Sequence, residues 1–65
     1  MFSLMDVPYL ETEGLIIIQD TTGKELAVCT TLAMIPISVR QQARVWSITQ
    51  NGTDTVIVVS DWKSF

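Results

Sequence analysis

The chain has 65 residues, 48% hydrophobic and only 17% charged, with four Lys or Arg against seven Asp or Glu, no His, one Cys and a formal net charge of -3. That length limits it to a single domain, 1–65,; a lone Cys excludes an internal disulfide, and without His the ligand set of a structural zinc site, about four N or S atoms, cannot be assembled. The acidic balance argues against a strongly electrostatic nucleic-acid binder, which neutralises several phosphates with clustered Lys and Arg.

Residues 1–13 form an apolar lead-in. Pro8 forbids a helix through it and biases Val7 toward extended backbone,. Phe2, Leu4, Met5, Val7, Tyr9 and Leu10 are too apolar for a free tail, so the segment is expected to pack on the sheet or to form an edge strand, with Glu11 and Glu13 at its solvated end. The opening residues carry no basic stretch and meet Asp6 early, which does not read as a secretory signal,. The longest apolar run, residues 32–37, falls far short of the roughly 20 residues a membrane-spanning helix needs,. A free Cys29 without a signal fits a reducing cytoplasm. A chain that starts at Met without tag or linker reads as a whole small protein.

The next stretch, GLIIIQDTTGKELAVCTTLAMI, reads as a hairpin. Its β-branched run is a strand. DTTGK suits a three-residue loop with Gly23 in the left-handed position. That loop pairs Asp20 with Lys24, Ile18 with Leu26 and Ile16 with Val28, and it divides the side chains into two apolar faces. The second strand is expected to run on through Thr30 and Thr31 toward Ile35, where Pro36 stops it. In PISVRQQAR, Ser38 and Gln41 have capping-box spacing, predicting one short helical turn over Ser38–Gln42,.

The last stretch, RVWSITQNGTDTVIVVSDW, is a second hairpin. Asn51 and Gly52 suit a type I′ turn, whose central residues both need positive φ. This register pairs Gln50 with Thr53, Ile48 with Thr55, Trp46 with Ile57 and Arg44 with Val59. Trp46, Ile48, Ile57 and Val59 then form a core face. Val45, Val56 and Val58 form a second apolar face, which Trp62 joins. Two aromatics in the closing DWKSF, Trp62 and Phe65, suggest docking on the domain itself or on a partner.

No pattern of residues carries chemistry. Cys29 has no His to activate it and sits among Ala27, Val28 and Leu15, so it reads as a buried, inert thiol. Asp6, Glu11, Glu13, Asp20, Glu25, Asp54 and Asp61 fall mostly in turns and at strand ends, where they read as solvated surface. TTGKE has the Gly-Lys pair of a phosphate loop but neither its first Gly nor its helix.

The sequence therefore predicts an all-β fold: two hairpins, about five strands, closing into a small barrel or a strongly curved antiparallel sheet, SH3-like in shape, an analogy that carries no function. The expected function is a non-enzymatic protein–protein interaction module, self-associating or a subunit or regulator of a larger assembly. Its expected partner surface is Val45, Val56, Val58, Trp62 and Phe65, with no catalytic residue, metal, cofactor or membrane. The alternative is a nucleic-acid-binding regulator using Arg40, Arg44, Trp62 and Lys63, disfavoured by the net charge of -3.

Overall fold

A computed structural model describes residues 2–7 and 14–63, apart from the side chain of Phe2. The expectations placed on residues 8–13 and on Phe65 lie outside them. The elements are β1 (Phe2–Ser3), β2 (Ile16–Gln19), β3 (Glu25–Cys29), α1 (Ile37–Gln42), β4 (Arg44–Asn51) and β5 (Asp54–Ser60), with short 3-10 turns at Leu4–Asp6 and Leu32–Met34. They build one sheet in the order β1-β4-β5-β2-β3, four longer strands plus the two-residue β1.

Two expectations are corrected here. The sheet is mixed, because β2 runs parallel to β5, with Ile16 opposite Thr55 and Ile18 opposite Ile57. A parallel neighbour requires a crossover, and the chain from β3 through α1 to β4 provides it. The sheet also does not close into a barrel, so the SH3-like shape is not formed. Its ends are β1 and β3, which do not meet. The layer that buries the core is α1 and the Leu4 turn, not the sheet folded onto itself.

The core sits between that layer and one face of the sheet. Ile16, Ile18, Val45, Ile57 and Val59 come from the strands, and Leu4, Ile35, Val39 and Ala43 from the covering layer, all buried. Fully burying such a side chain is worth about 1.5–3 kcal/mol. α1 contributes only Val39 to this layer. It begins after Pro36, whose carbonyl accepts from Val39 N (3.1 Å) and Arg40 N (3.0 Å). Ser38 is thus inside the helix and not its cap, and the expected capping box is absent. Ala43 returns to extended backbone and its carbonyl accepts from Leu4 N at 2.8 Å, tying the lead-in to the helix end.

Beyond Leu4, β1 borders β4, with Phe2 opposite Val45 and Ser3 opposite Arg44.

The first hairpin turns where the sequence places it. Gly23 has φ +92, and Asp20 N donates to Lys24 O at 2.9 Å. A register shift follows, leaving Leu26 without an opposite residue, so Ala27 faces Ile18 and Cys29 faces Ile16. Ala27 and Cys29 share the core face with Ile16 and Ile18, Leu26 also packs against the core, and Val28 is left exposed. β3 stops at Cys29 instead of reaching Ile35, because the chain bends at Thr30 and Thr31 and enters the Leu32–Met34 turn.

The Asp20 carboxylate organises that turn. Its Oδ1 accepts from Thr22 Oγ1, from Thr22 N (2.9 Å) and from Lys24 N (3.0 Å). The Thr22 hydroxyl, then the Lys24 amide, hold its pKa below the usual 3.8. A lowered folded-state pKa contributes stability that is present above the unfolded value and is lost as pH falls through the folded one. Wild type is therefore expected to lose more stability than Asp20→Asn when pH falls from well above 3.8 to well below it. Urea midpoints of both proteins across that range check this, and parallel pH profiles would refute it.

Candidate functional site

The two faces of the sheet are unequally covered, and the register shifts at Leu26 and Trp46 decide which side chains of β3 and β4 each face receives. The second hairpin turns on Gly52 and Thr53, with Asn51 opposite Asp54. Gly52 has φ +67 and Thr53 does not have positive φ. That is the requirement of a type II′ turn, with Gly at its first central position, rather than of a type I′ turn on Asn51 and Gly52. The register moves by two residues from the expected one, so side-chain parity is kept: Ile48 faces Ile57 and Gln50 faces Thr55.

Trp46 then breaks the ladder. Val45 lies opposite Val59 and Ser47 opposite Val58, leaving Trp46 as the extra residue. A bulge of this kind reverses alternation on one strand. Val45 turns into the core at 3% exposure, and Trp46 is left 57% exposed. Val45 is thus not part of a second-face surface, and Trp46 is not core.

Trp62 leaves the second face expected of it and docks on the domain itself, one of the two outcomes expected of the chain end. Asp61 adopts φ +57, which ends the alternation of β5, and Trp62 packs against the core from its margin. Trp62→Ala is accordingly expected to destabilise by about 2 kcal/mol, less than a fully buried aromatic. Trp46→Ala, on an exposed bulge, should change stability by less than about 1 kcal/mol. Urea melts of both variants check the pair, and the reverse order would refute the bulge assignment.

The face away from α1 is left without a covering element among the described residues. Across it, Ile17 pairs with Val56 and with Val28, and Gln19 with Val58. Ile17, Val56 and Val58 are half-buried, while Val28 and Leu15 are 43% and 42% exposed. Ser47 and Thr49, opposite Val58 and Val56, continue this surface along β4. Of the expected partner residues, the structure brings Val56 and Val58 together here. Alternation already puts Leu15 and Ile17 on one side, but they were not foreseen as partner surface, and only the register shift at Leu26 adds Val28 to them.

The aspartates are structural acceptors. Asp6 Oδ2 accepts from Ser3 N (3.1 Å) and Asp54 Oδ1 from Leu15 N (2.8 Å). Asp61 pairs with Arg44 Nε at 3.6 Å across exposed side chains. Arg40, half-buried, donates from Nε to Ile35 O at 2.9 Å. Lys63 is exposed. The four positions of the alternative nucleic-acid contact therefore include one cation tied to a carbonyl, one paired with an acid and a Trp packed on the core.

An open cleft of about 340 Å³ lies between the Asp20–Thr22 turn and the Val59–Trp62 segment. Its carboxylates are those already engaged by Thr22 and Arg44. Cys29 is 5% exposed, and burial pushes its thiol pKa up, away from the reactive thiolate,. Among the described residues no group of three or more His, Cys, Asp or Glu could hold a metal ion, and no helix is long and apolar enough to cross a membrane. Comparison with protein-family models, curated proteins and solved structures gives no match to this chain.

Proposed function

We propose that the protein is a non-enzymatic protein–protein interaction module that self-associates and, as a subunit or regulator of a larger assembly, offers that assembly the sheet face left open among the described residues. The observation that carries this reading is the clustering of Ile17, Val28, Val56 and Val58 with exposed Leu15 on one side of a very small domain. Contiguous apolar surface of this kind marks interaction sites. A domain of this size also gains stability by burying surface against a second chain. A cytoplasmic setting belongs to the same reading, supported by the single buried, unpaired Cys29,. Sedimentation equilibrium at micromolar concentration tests it: the reading expects a dimer or larger species, and a clean 7.3 kDa species would contradict it.

A further inference from the structure

We infer that a second copy of this chain pairs with the open border of β4, antiparallel about a two-fold axis at Thr49, joining the two sheets into one. The inference rests on the self-association proposed above and names its geometry.

β4 is the longest strand, and every residue of it except Val45 is exposed. β1 pairs with it only at Arg44 and Val45. Beyond the Trp46 bulge, among the described residues, nothing pairs with the outer side of Ser47–Asn51.

Which main-chain groups point outward follows from the hairpin. In an antiparallel pair, opposite residues alternate between exchanging both hydrogen bonds and exchanging none. Asn51 and Asp54 close the two-residue turn, so they bond, as do Thr49 with Val56. Gln50 with Thr55 and Ile48 with Ile57 do not. An independent contact agrees: Thr55 N donates away from β4, to Leu15 O at 2.9 Å. The N–H and C=O groups of Ile48 and Gln50 therefore face the open side.

An antiparallel partner centred on Thr49 sets Ile48 opposite Gln50 of the other copy, and Gln50 opposite its Ile48. All four outward groups of each copy then find partners. Centring on Ile48 instead would set Gln50 against the bulged Trp46 and waste half of them. The Thr49 register places the two Thr49 side chains directly opposite, a favourable cross-strand pair. It sets the two Ile48 side chains diagonally adjacent across the axis, burying apolar surface that is 42% exposed in one copy.

The occupant is a second copy because the stretch suits itself. Val45–Asn51 carries no ionisable side chain, so a chain of net charge -3 meets its own copy there without opposed like charges. Natural edge strands are commonly protected by Lys, Pro or charge. The other border, β3, carries Glu25 and the register slip at Leu26; Ser47–Asn51 has neither.

The test is sedimentation equilibrium of wild type, Thr49→Lys, Thr49→Glu, their equimolar mixture and Val28→Lys. Wild type should weigh twice the 7.3 kDa chain. Each Thr49 variant alone should be monomeric, since like charges would stand opposite at the axis. The mixture should regain the dimer, which also shows that both variants are folded. Val28→Lys, on the open face away from β4, should remain dimeric. A monomeric wild type removes the self-association reading and this inference together. A wild-type dimer that survives both Thr49 substitutions, that is lost in Val28→Lys, or whose Thr49 variants fail to pair when mixed overturns the β4 border alone.

Discussion

Ile57→Ala is expected to destabilise the domain by about 3 kcal/mol, within the usual range for a large-to-small core change. Ile57 is fully buried. It lies on β5, which is hydrogen-bonded on both sides, to β4 and to the parallel β2, with Ile18 and Ile48 as its opposite residues. The surrounding ladder leaves little room for the cavity to collapse. A domain of this size has a total stability of roughly 3–10 kcal/mol, so the variant should be partly unfolded or close to it. The urea midpoint should fall with the m-value unchanged. A midpoint within experimental error of wild type would mean that β5 is not the central strand.

Gly14→Ala should cost about 1–3 kcal/mol, by overpacking rather than by loss of a contact. A Cβ at Gly14 would lie 2.5 Å from Thr53 O and would also press on Asp54 Oδ1. Neither can withdraw freely. Thr53 is in the β4–β5 turn, and Asp54 accepts from Leu15 N at 2.8 Å. The start of β2 is thus seated against the turn of the second hairpin, which fixes the parallel register. Gly14→Ala should lower the urea midpoint, and Asp54→Ala, which removes the acceptor, should lower it as well. A Gly14→Ala protein as stable as wild type would show that β2 does not approach the turn this closely.

Much of the local structure was legible in the sequence, and the larger errors share one cause. The β-branched run over 56–59 predicted β5, and Asp20 with Gly23 predicted the first turn, because both signals are local. Face assignment depends on counting residues along strands, and one inserted residue reverses it. Two such insertions occur, at Leu26 and Trp46. They exchange Val28 for Cys29 in the core, and Trp46 for Val45. Nothing in the types of Leu26 or Trp46 announces a bulge; both suit a regular strand. The parallel pairing of β2 with β5 was also hidden, since hairpin signals report only neighbours in sequence. Gly14 offered a faint clue, as a glycine opening a β-branched run can mark close approach of another backbone. For the candidate surface, Val56 and Val58 were legible from alternation. Ile17, Val28 and the open border of β4 emerge only from the register and the strand order.

Amide hydrogen exchange, read residue by residue at two protein concentrations, tests the claim that two copies join through β4. At concentrations where the chain is monomeric, the Thr49 amide, bonded to β5, should be protected, while those of Ile48 and Gln50, facing the open side, should exchange rapidly. Raising the concentration into the dimer range should slow Ile48 and Gln50 together and leave Thr49 little changed. Association without new protection at Ile48 and Gln50, or protection of both in the monomer, would contradict the account.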